Sequence, residues 1–249
     1  MTESDPKQSW TFGIMCYNEV GSLESVVADI RLTAPRFTAR YEILIVDDGS
    51  TDGSRELALA LEARFPEVRC ILHPVNMGIG HTLRNIYLNA AMENVANLPG
   101  DGQFKSEEYL KIRSLPHGAF VAFYRKENTH YNFFRNGLSL LNSYINRYFI
   151  GFVCKDVNWT KVYKSEDIVG LQLQLVSSLV ESEICAKLRL LGRQIIEVES
   201  AYHQRLHGKA KGARAGVILA AAREVLRLKI EMMRFKYIVR NQKKEAHAF

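Results

Sequence analysis

No stretch of this 249-residue chain approaches the roughly 18–20 uninterrupted apolar residues that cross a bilayer as a helix. That absence argues against an integral membrane bundle. Cysteine is scarce: Cys16, Cys70, Cys154 and Cys185 stand far apart, with no C-x-x-C pair. Such spacing argues against a structural zinc site and for reduced thiols in the cytoplasm. The start, MTESDPKQSW, is polar and acidic and lacks the apolar core of a secretory signal. There is no internal repeat and no low-complexity tract.

Acidic residues are heavily outnumbered in the C-terminal segment. Residues 205–244 hold 12 Lys and Arg against two Asp and Glu, whereas residues 1–204 hold 21 against 24. The formal charge of +6 is therefore a basic C-terminal segment on a near-neutral body. Such a segment suits a phosphate-rich partner: anionic lipid, nucleic acid or a phosphorylated acceptor. No nucleic-acid reading module accompanies it, so nucleic acid is not the expected partner. With 47% hydrophobic and 24% charged residues, the chain is globular, as one large domain or a domain with an appendage.

Short apolar runs alternate with segments whose apolar residues recur every three to four positions. Strands are expected at Phe12–Cys16, Tyr41–Val46, Val68–His73 and Phe120–Tyr124. Glu93–Leu98 fits a strand by its place rather than by its composition. Asp156–Tyr163 and Gln194–Glu199 read as later strands. Helices are expected at Val20–Leu32, Ser54–Arg64, Thr82–Ala90, Glu183–Leu191 and Gly216–Lys243. This order predicts an α/β fold: a mostly parallel sheet with helices on both faces.

The chemistry-bearing residues collect where strands end. Tyr41–Val46 runs into Asp47 and Asp48, then Gly49-Ser50-Thr51-Asp52-Gly53. At the carboxyl end of a strand in an open sheet, such a cluster faces the ligand crevice. Two acids there suit the donors of a base or ribose; the same acids also serve as turn and helix caps.

Three stretches carry a family resemblance: CYNEVGSLESVV, VDDGSTDGS and PGDGQF, with NMGIGHTLRN, GRQIIEVE and HQRLHGKAKGAR in support. Together they resemble a family-2 glycosyltransferase of the GT-A fold, of the dolichol-phosphate mannose synthase-like, polyprenyl-phosphate subgroup. The resemblance covers residues 10–212, after a polar segment 1–9 and before a basic helix and tail, 213–249. It implies inverting transfer of a sugar, a hexose in the first instance, from a nucleotide-diphosphate sugar to a polyprenyl phosphate or another lipid-linked or glycan acceptor. Polysaccharide or glycolipid biosynthesis is the implied setting. The rival is a non-catalytic GT-A domain that binds a nucleotide sugar as a regulatory or scaffold subunit. A nucleotidyltransferase is less apt, because CYNEVGS does not resemble its Gly-rich phosphate loop.

Residue by residue, the resemblance assigns Tyr17, Glu19, Asp47, Asp48, Asn76, Gly78 and Asp101 to the nucleotide sugar. Asp101 and Gln103 fall on metal positions, implying Mg²⁺ or Mn²⁺. Pro99 replaces the first Asp of the DxD motif, which lowers the expected metal affinity. Arg125, Arg135, Arg205 and Lys211 fall near positions that hold an acceptor phosphate, as Arg suits phosphate bidentately. Asp156, with Asp101 the other catalytic candidate, is expected to position the acceptor. Glu181 and Glu183 are either a remnant acidic pair or acids at a helix N-terminus.

In the C-terminal helix, Leu219, Ala222, Leu226, Ile230, Met233 and Tyr237 form one apolar stripe. Leu228, Met232, Phe235 and Val239 form an opposed one, with cations between. One stripe is expected to pack on the domain. The other meets an anionic membrane surface at the inner face, a partner, or a second copy of the chain.

Overall fold

A computed structural model describes residues 8–125, 153–205 and 215–246. Seven strands form one sheet: β1 (Trp10–Cys16), β2 (Tyr41–Asp47), β3 (Val68–Leu72), β4 (Asn94–Pro99), β5 (Ala119–Arg125), β6 (Lys161–Lys164) and β7 (Gln194–Ser200). The helices are α1 (Leu23–Thr33), α2 (Ser54–Arg64), α3 (Ile79–Leu88), α4 (Ser165–Val169), α5 (Val180–Leu190) and α6 (Ala215–Ala246). The strand order is β3-β2-β1-β4-β6-β5-β7. β1 through β4 are parallel to one another, and β7 is parallel to β5. β6 runs antiparallel between β4 and β5.

Both faces of the sheet are covered, which is why β2 reads as a continuous apolar run. Ile43 and Ile45 pack with Phe12, Ile14, Val27 of α1 and Leu61 of α2. Leu44 and Val46 face the other way, toward Leu83, Ile86 and Tyr87 of α3. Gly13 lets α3 approach β1 closely: a Cβ there would lie 2.1 Å from Ile86 Cγ2.

The expected strand Asp156–Tyr163 is shorter than its composition indicates, and only Lys161–Lys164 joins the sheet. The cause is Lys161, fully buried, whose Nζ donates to the carbonyls of Asp156, Val157 and Trp159 at 2.8, 3.0 and 2.8 Å. One ammonium gathers three carbonyls, and the chain before the strand curls around it.

Glu181 and Glu183 lie in the first turn of α5, as acids at a helix N-terminus, and both are buried. Tyr87 and Tyr163 donate their hydroxyls to Glu181. Burial pushes the Glu181 carboxyl up, against the opposing pull of Lys161 and the two tyrosines. Glu183 accepts the N–H groups of Gln174 and Leu175 at 2.8 and 2.9 Å and pairs with Lys187 at 2.7 Å.

The stripe of α6 that packs on the body is Leu228, Met232 and Val239, with Phe235 partly buried. Glu231 reaches Lys187 at 2.9 Å, and Glu224 accepts the N–H groups of Val176 and Ser177. Among the described residues no helix is long and apolar enough to cross a membrane. The boundary expected between 212 and 213 lies outside the described residues, as do Arg135 and Lys211.

Candidate functional site

Register brings the motifs together. Cys16 pairs with Asp47, and Met15 with Pro99, so β1, β2 and β4 end at the same level. Two backbone hydrogen bonds continue the alignment past the strand ends: Asp48 N–H to Cys16 O at 2.8 Å and Gly100 N–H to Met15 O at 2.9 Å. The chain proceeds from β1 toward β3 on one side and places β4 on the other, so the strand order reverses between β1 and β4. A ligand crevice is expected at that reversal.

The loops after β1 and β2 are sewn to each other. The N–H groups of Asn18 and Glu19 donate to the hydroxyls of Ser50 and Ser54 at 2.9 and 2.7 Å. Thr51 N–H donates to Asn18 Oδ1 at 2.7 Å. Asp52 accepts from the N–H groups of Val20 and Ser54 and from the Ser54 hydroxyl. Partial burial opposes its ionisation, but the Ser54 hydroxyl and these N–H groups hold its carboxyl below the usual range. The serine- and aspartate-rich turn thus fixes where Tyr17 and Glu19 stand.

Asp48 and Asp47 diverge. Asp48 accepts from Met77 N–H at 2.8 Å and Gly78 N–H at 2.9 Å, and lies 2.7 Å from His73 Nδ1. His73 Nε2 in turn lies 2.6 Å from Asn85 Nδ2. A proton on Nδ1 lets the ring donate to Asp48 and accept from Asn85 at Nε2. No motif marks His73; its one signal in the sequence is its place directly after β3. Asp47 turns under the loop instead, where Arg55 Nε donates to it at 3.0 Å and Ser50 N–H at 3.3 Å.

A cleft of about 240 Å³ opens at this edge, lined in part by Tyr17, Glu19, Asp48, Asn76, Gly78 and Asp101. Arg205 lines it too. Its Nη2 lies 2.8 Å from Asp101 Oδ2 and its Nη1 3.5 Å from Glu19 Oε1. Ser22 donates to Gly100 O at 2.8 Å, fastening α1 to the Pro99-Gly100-Asp101 turn. Of the residues expected to hold the nucleotide or the metal, Asp47 and Gln103 do not line the cleft. Gln103 N–H donates to Asp101 Oδ1 at 3.0 Å, and its side-chain amide donates to the Tyr202 hydroxyl. Cys16 lines the cleft as an inert thiol: burial, then Asp47, pushes it up to about 12.

Arg125 stands apart from the cleft lining. Asp156 accepts from its Nε at 2.6 Å and its Nη2 at 3.0 Å. The guanidinium lies over the Trp159 ring at 4.9 Å and toward the Tyr202 ring at 5.9 Å. Tyr202 thereby links the two groups, with its hydroxyl on Gln103 and its ring near Arg125.

Among the described residues, no three His, Cys, Asp or Glu side chains cluster as a metal site. An ion that arrives with a diphosphate needs only one or two protein carboxylates, the remaining ligands being phosphate oxygens and water. Asp101 is the candidate carboxylate at this turn; its Oδ1 accepts Gln103 N–H and its Oδ2 is paired with Arg205, so an ion would reach it only in exchange for that guanidinium.

The family model for Glycosyl transferase family 2 matches residues 11–148. Among curated proteins, the chain is 32% identical over 116 residues to a dolichyl-phosphate beta-glucosyltransferase, ALG5C, of Trichomonas vaginalis, covering 42% of this chain and 34% of that protein. It is 25% identical over 213 residues to an undecaprenyl-phosphate 4-deoxy-4-formamido-L-arabinose transferase of Aeromonas hydrophila, covering 80% and 61%. The chain therefore spans less than two thirds of the length of these relatives. Among solved structures, it resembles the mannosyltransferase PcManGT of Pyrobaculum calidifontis, in complex with GDP-Man and Mn²⁺, at TM-score 0.58 and 14% identity, over 98% of this chain and 76% of that one. It also resembles glucosyl-3-phosphoglycerate synthase of Mycobacterium tuberculosis, in complex with Mn²⁺, UDP and glucosyl-3-phosphoglycerate, at TM-score 0.59 and 16% identity, over 90% and 80%. The fold is the GT-A fold expected from the motifs. With more than half its length matched by the family model, and with the family's strand-end motifs gathered around one cleft, the chain belongs to glycosyltransferase family 2.

Proposed function

We propose that this chain transfers a sugar, with inversion, from a nucleotide-diphosphate sugar to a polyprenyl phosphate. The observation that carries the reading is the cleft in which Glu19, Asp48 and Asp101 converge from three strand ends with Arg205 among them. Tyr17 offers a ring to stack on the base. Glu19 and Asp48 offer acceptors to base and ribose hydroxyls. Asn76 and Gly78 belong to the loop that Asp48 holds at the mouth of the cleft. Asp47 shapes the turn from below.

Asp101 would hold a divalent ion, Mg²⁺ or Mn²⁺, which when bound offsets the charge of the departing diphosphate. Pro99 supplies no carboxylate there, so the ion is expected to enter with the nucleotide rather than before it.

An oxygen of the acceptor phosphate attacks the anomeric carbon, the bond from that carbon to the diphosphate oxygen breaks, and the electron pair leaves with the nucleoside diphosphate. A phosphate monoester is already ionised near neutral pH and needs no general base. Asp156 therefore acts by holding Arg125, not by taking a proton. Arg125, with Arg135 and Lys211 from outside the described residues, would bind the acceptor phosphate. Arg205 lies close enough to Asp101 to serve the diphosphate side as well. The reading places the protein at the cytoplasmic face of a membrane, where a lipid-borne acceptor presents its phosphate.

The test is incubation of the protein with Mn²⁺, a short-chain polyprenyl phosphate and UDP-, GDP-, CDP- or dTDP-sugars, followed by mass spectrometry of the lipid extract. The reading expects one donor to yield a glycosyl polyprenyl phosphate. Donor binding without any lipid-linked or glycan product would favour a binding domain without turnover.

A further inference from the structure

The outer face of α6 is unlike its inner one. Leu226, Ile230, Met233 and Tyr237 recur at i, i+4, i+7 and i+11 and are each 59–67% exposed. At 100° per residue they form one stripe, about 16 Å long at 1.5 Å per residue. It lies opposite the Leu228, Met232 and Val239 stripe that is spent on the core. Isolated exposed apolar side chains are ordinary, but a continuous stripe over three turns marks a surface that meets something.

The charges say what it meets. Arg227 and Arg234 run along one flank of the stripe, and Lys229, Lys236 and Arg240 along the other; all five are exposed. The two acids in this part of the helix, Glu224 and Glu231, point away from it and are engaged with Val176, Ser177 and Lys187. Among the described residues, the exposed face from Leu226 to Arg240 therefore carries apolar and cationic groups with no carboxylate among them. An apolar stripe bordered on both sides by cations matches a layer of acyl chains beneath anionic headgroups.

We infer that the outer face of α6 is a membrane-docking surface, lying in the headgroup region of an anionic bilayer through Leu226, Ile230, Met233 and Tyr237, with the flanking Arg and Lys on the lipid phosphates. The inner face keeps the helix on the GT-A body, so docking carries the whole domain to the bilayer. This goes beyond sugar transfer and does not require it: the lipid is recognised by charge and apolar depth, not as a substrate.

Co-sedimentation of the full chain tests it, using phosphatidylcholine vesicles with or without about 30 mol% phosphatidylglycerol and no polyprenyl phosphate. The protein is expected to sediment with the anionic vesicles, to do so less in high salt, and to remain in solution with pure phosphatidylcholine. The pair Ile230→Glu and Met233→Glu should lower the partition by about tenfold or more. The pair Arg227→Glu and Arg234→Glu, which spares the apolar stripe, should lower it comparably. All four positions are exposed, so the melting temperature should be retained. Equal partition of the variants and the parent, or no binding to anionic vesicles, would overturn the inference. So would a dimer in sedimentation velocity that the Ile230→Glu, Met233→Glu pair converts to monomer, because the face would then be covered by a second copy.

Discussion

Arg205 Nη2 sits 2.8 Å from Asp101 Oδ2 while Nη1 sits 3.5 Å from Glu19 Oε1, so one guanidinium serves two carboxylates that are each less than a tenth exposed. Removing the cation takes from both carboxylates a charge partner that they share. Arg205→Met is therefore expected to lower stability by about 1–2 kcal/mol at neutral pH, the figure being reduced by Arg205's partial exposure. Thermal unfolding of Arg205→Met and of the double variant Arg205→Met, Glu19→Gln measures it. The second change should restore part of the loss; if it adds to the loss instead, the two carboxylates do not share the guanidinium.

Asp48 accepts N–H groups from Met77 and Gly78, so it holds the loop at the mouth of the cleft. Asp48→Asn replaces one accepting oxygen with a donor and strands an N–H, at a cost of about 1–3 kcal/mol. The amides of Met77 and Gly78 should exchange faster with deuterium while those of β2 keep their protection. Unchanged exchange at the loop would show that the carboxylate does not hold it.

The bidentate pair of Arg125 with Asp156 separates two roles for the acid. If Asp156 only orients Arg125, Asp156→Asn keeps one acceptor and raises the KM for the lipid phosphate by about tenfold. The pH profile of kcat should keep its shape. Loss of the profile's acidic limb together with kcat would mean that Asp156 accepts a proton.

Glu181 gives a pH dependence with a definite sign. Burial raises its carboxyl above the ordinary value of 4.5 in the folded protein. A raised carboxyl binds its proton more tightly folded than unfolded. Its contribution to stability is complete below the ordinary value and is lost as pH climbs through the folded one. The melting temperature of the natural protein, less that of Glu181→Gln, should therefore grow as pH falls from 7 toward 4.5. A difference that stays flat would contradict the raised carboxyl.

The strands that carry the site were legible because the signals at each level agree. Ile43–Val46 is apolar on both faces, and Asp47–Gly53 has the chemistry of a turn. What was less legible depends on partners distant in sequence. β4 contains Asn94, Asn97 and Pro99, poor strand formers, and its place comes from pairing with β1. Lys161 looks like a surface cation in sequence, yet its burial against three carbonyls ends the strand expected from Asp156. Both stripes of α6 were visible by period, but which one turns inward depends on Lys187 and on the backbone of Val176 and Ser177. The split between Asp47 and Asp48 likewise rests on Arg55 and His73, which no local pattern connects to them.

The central claim is that the cleft around Asp101 binds a nucleotide-diphosphate sugar. Isothermal titration of the protein with UDP-, GDP-, CDP- and dTDP-sugars, each with and without Mn²⁺, tests it most directly. One donor class is expected to bind, more tightly with Mn²⁺, and Asp101→Ala should weaken that binding by about tenfold to a hundredfold, the worth of one charged contact of roughly 1.5–3 kcal/mol. Heat from none of the four donor classes, with the protein folded and the metal present, would contradict the account.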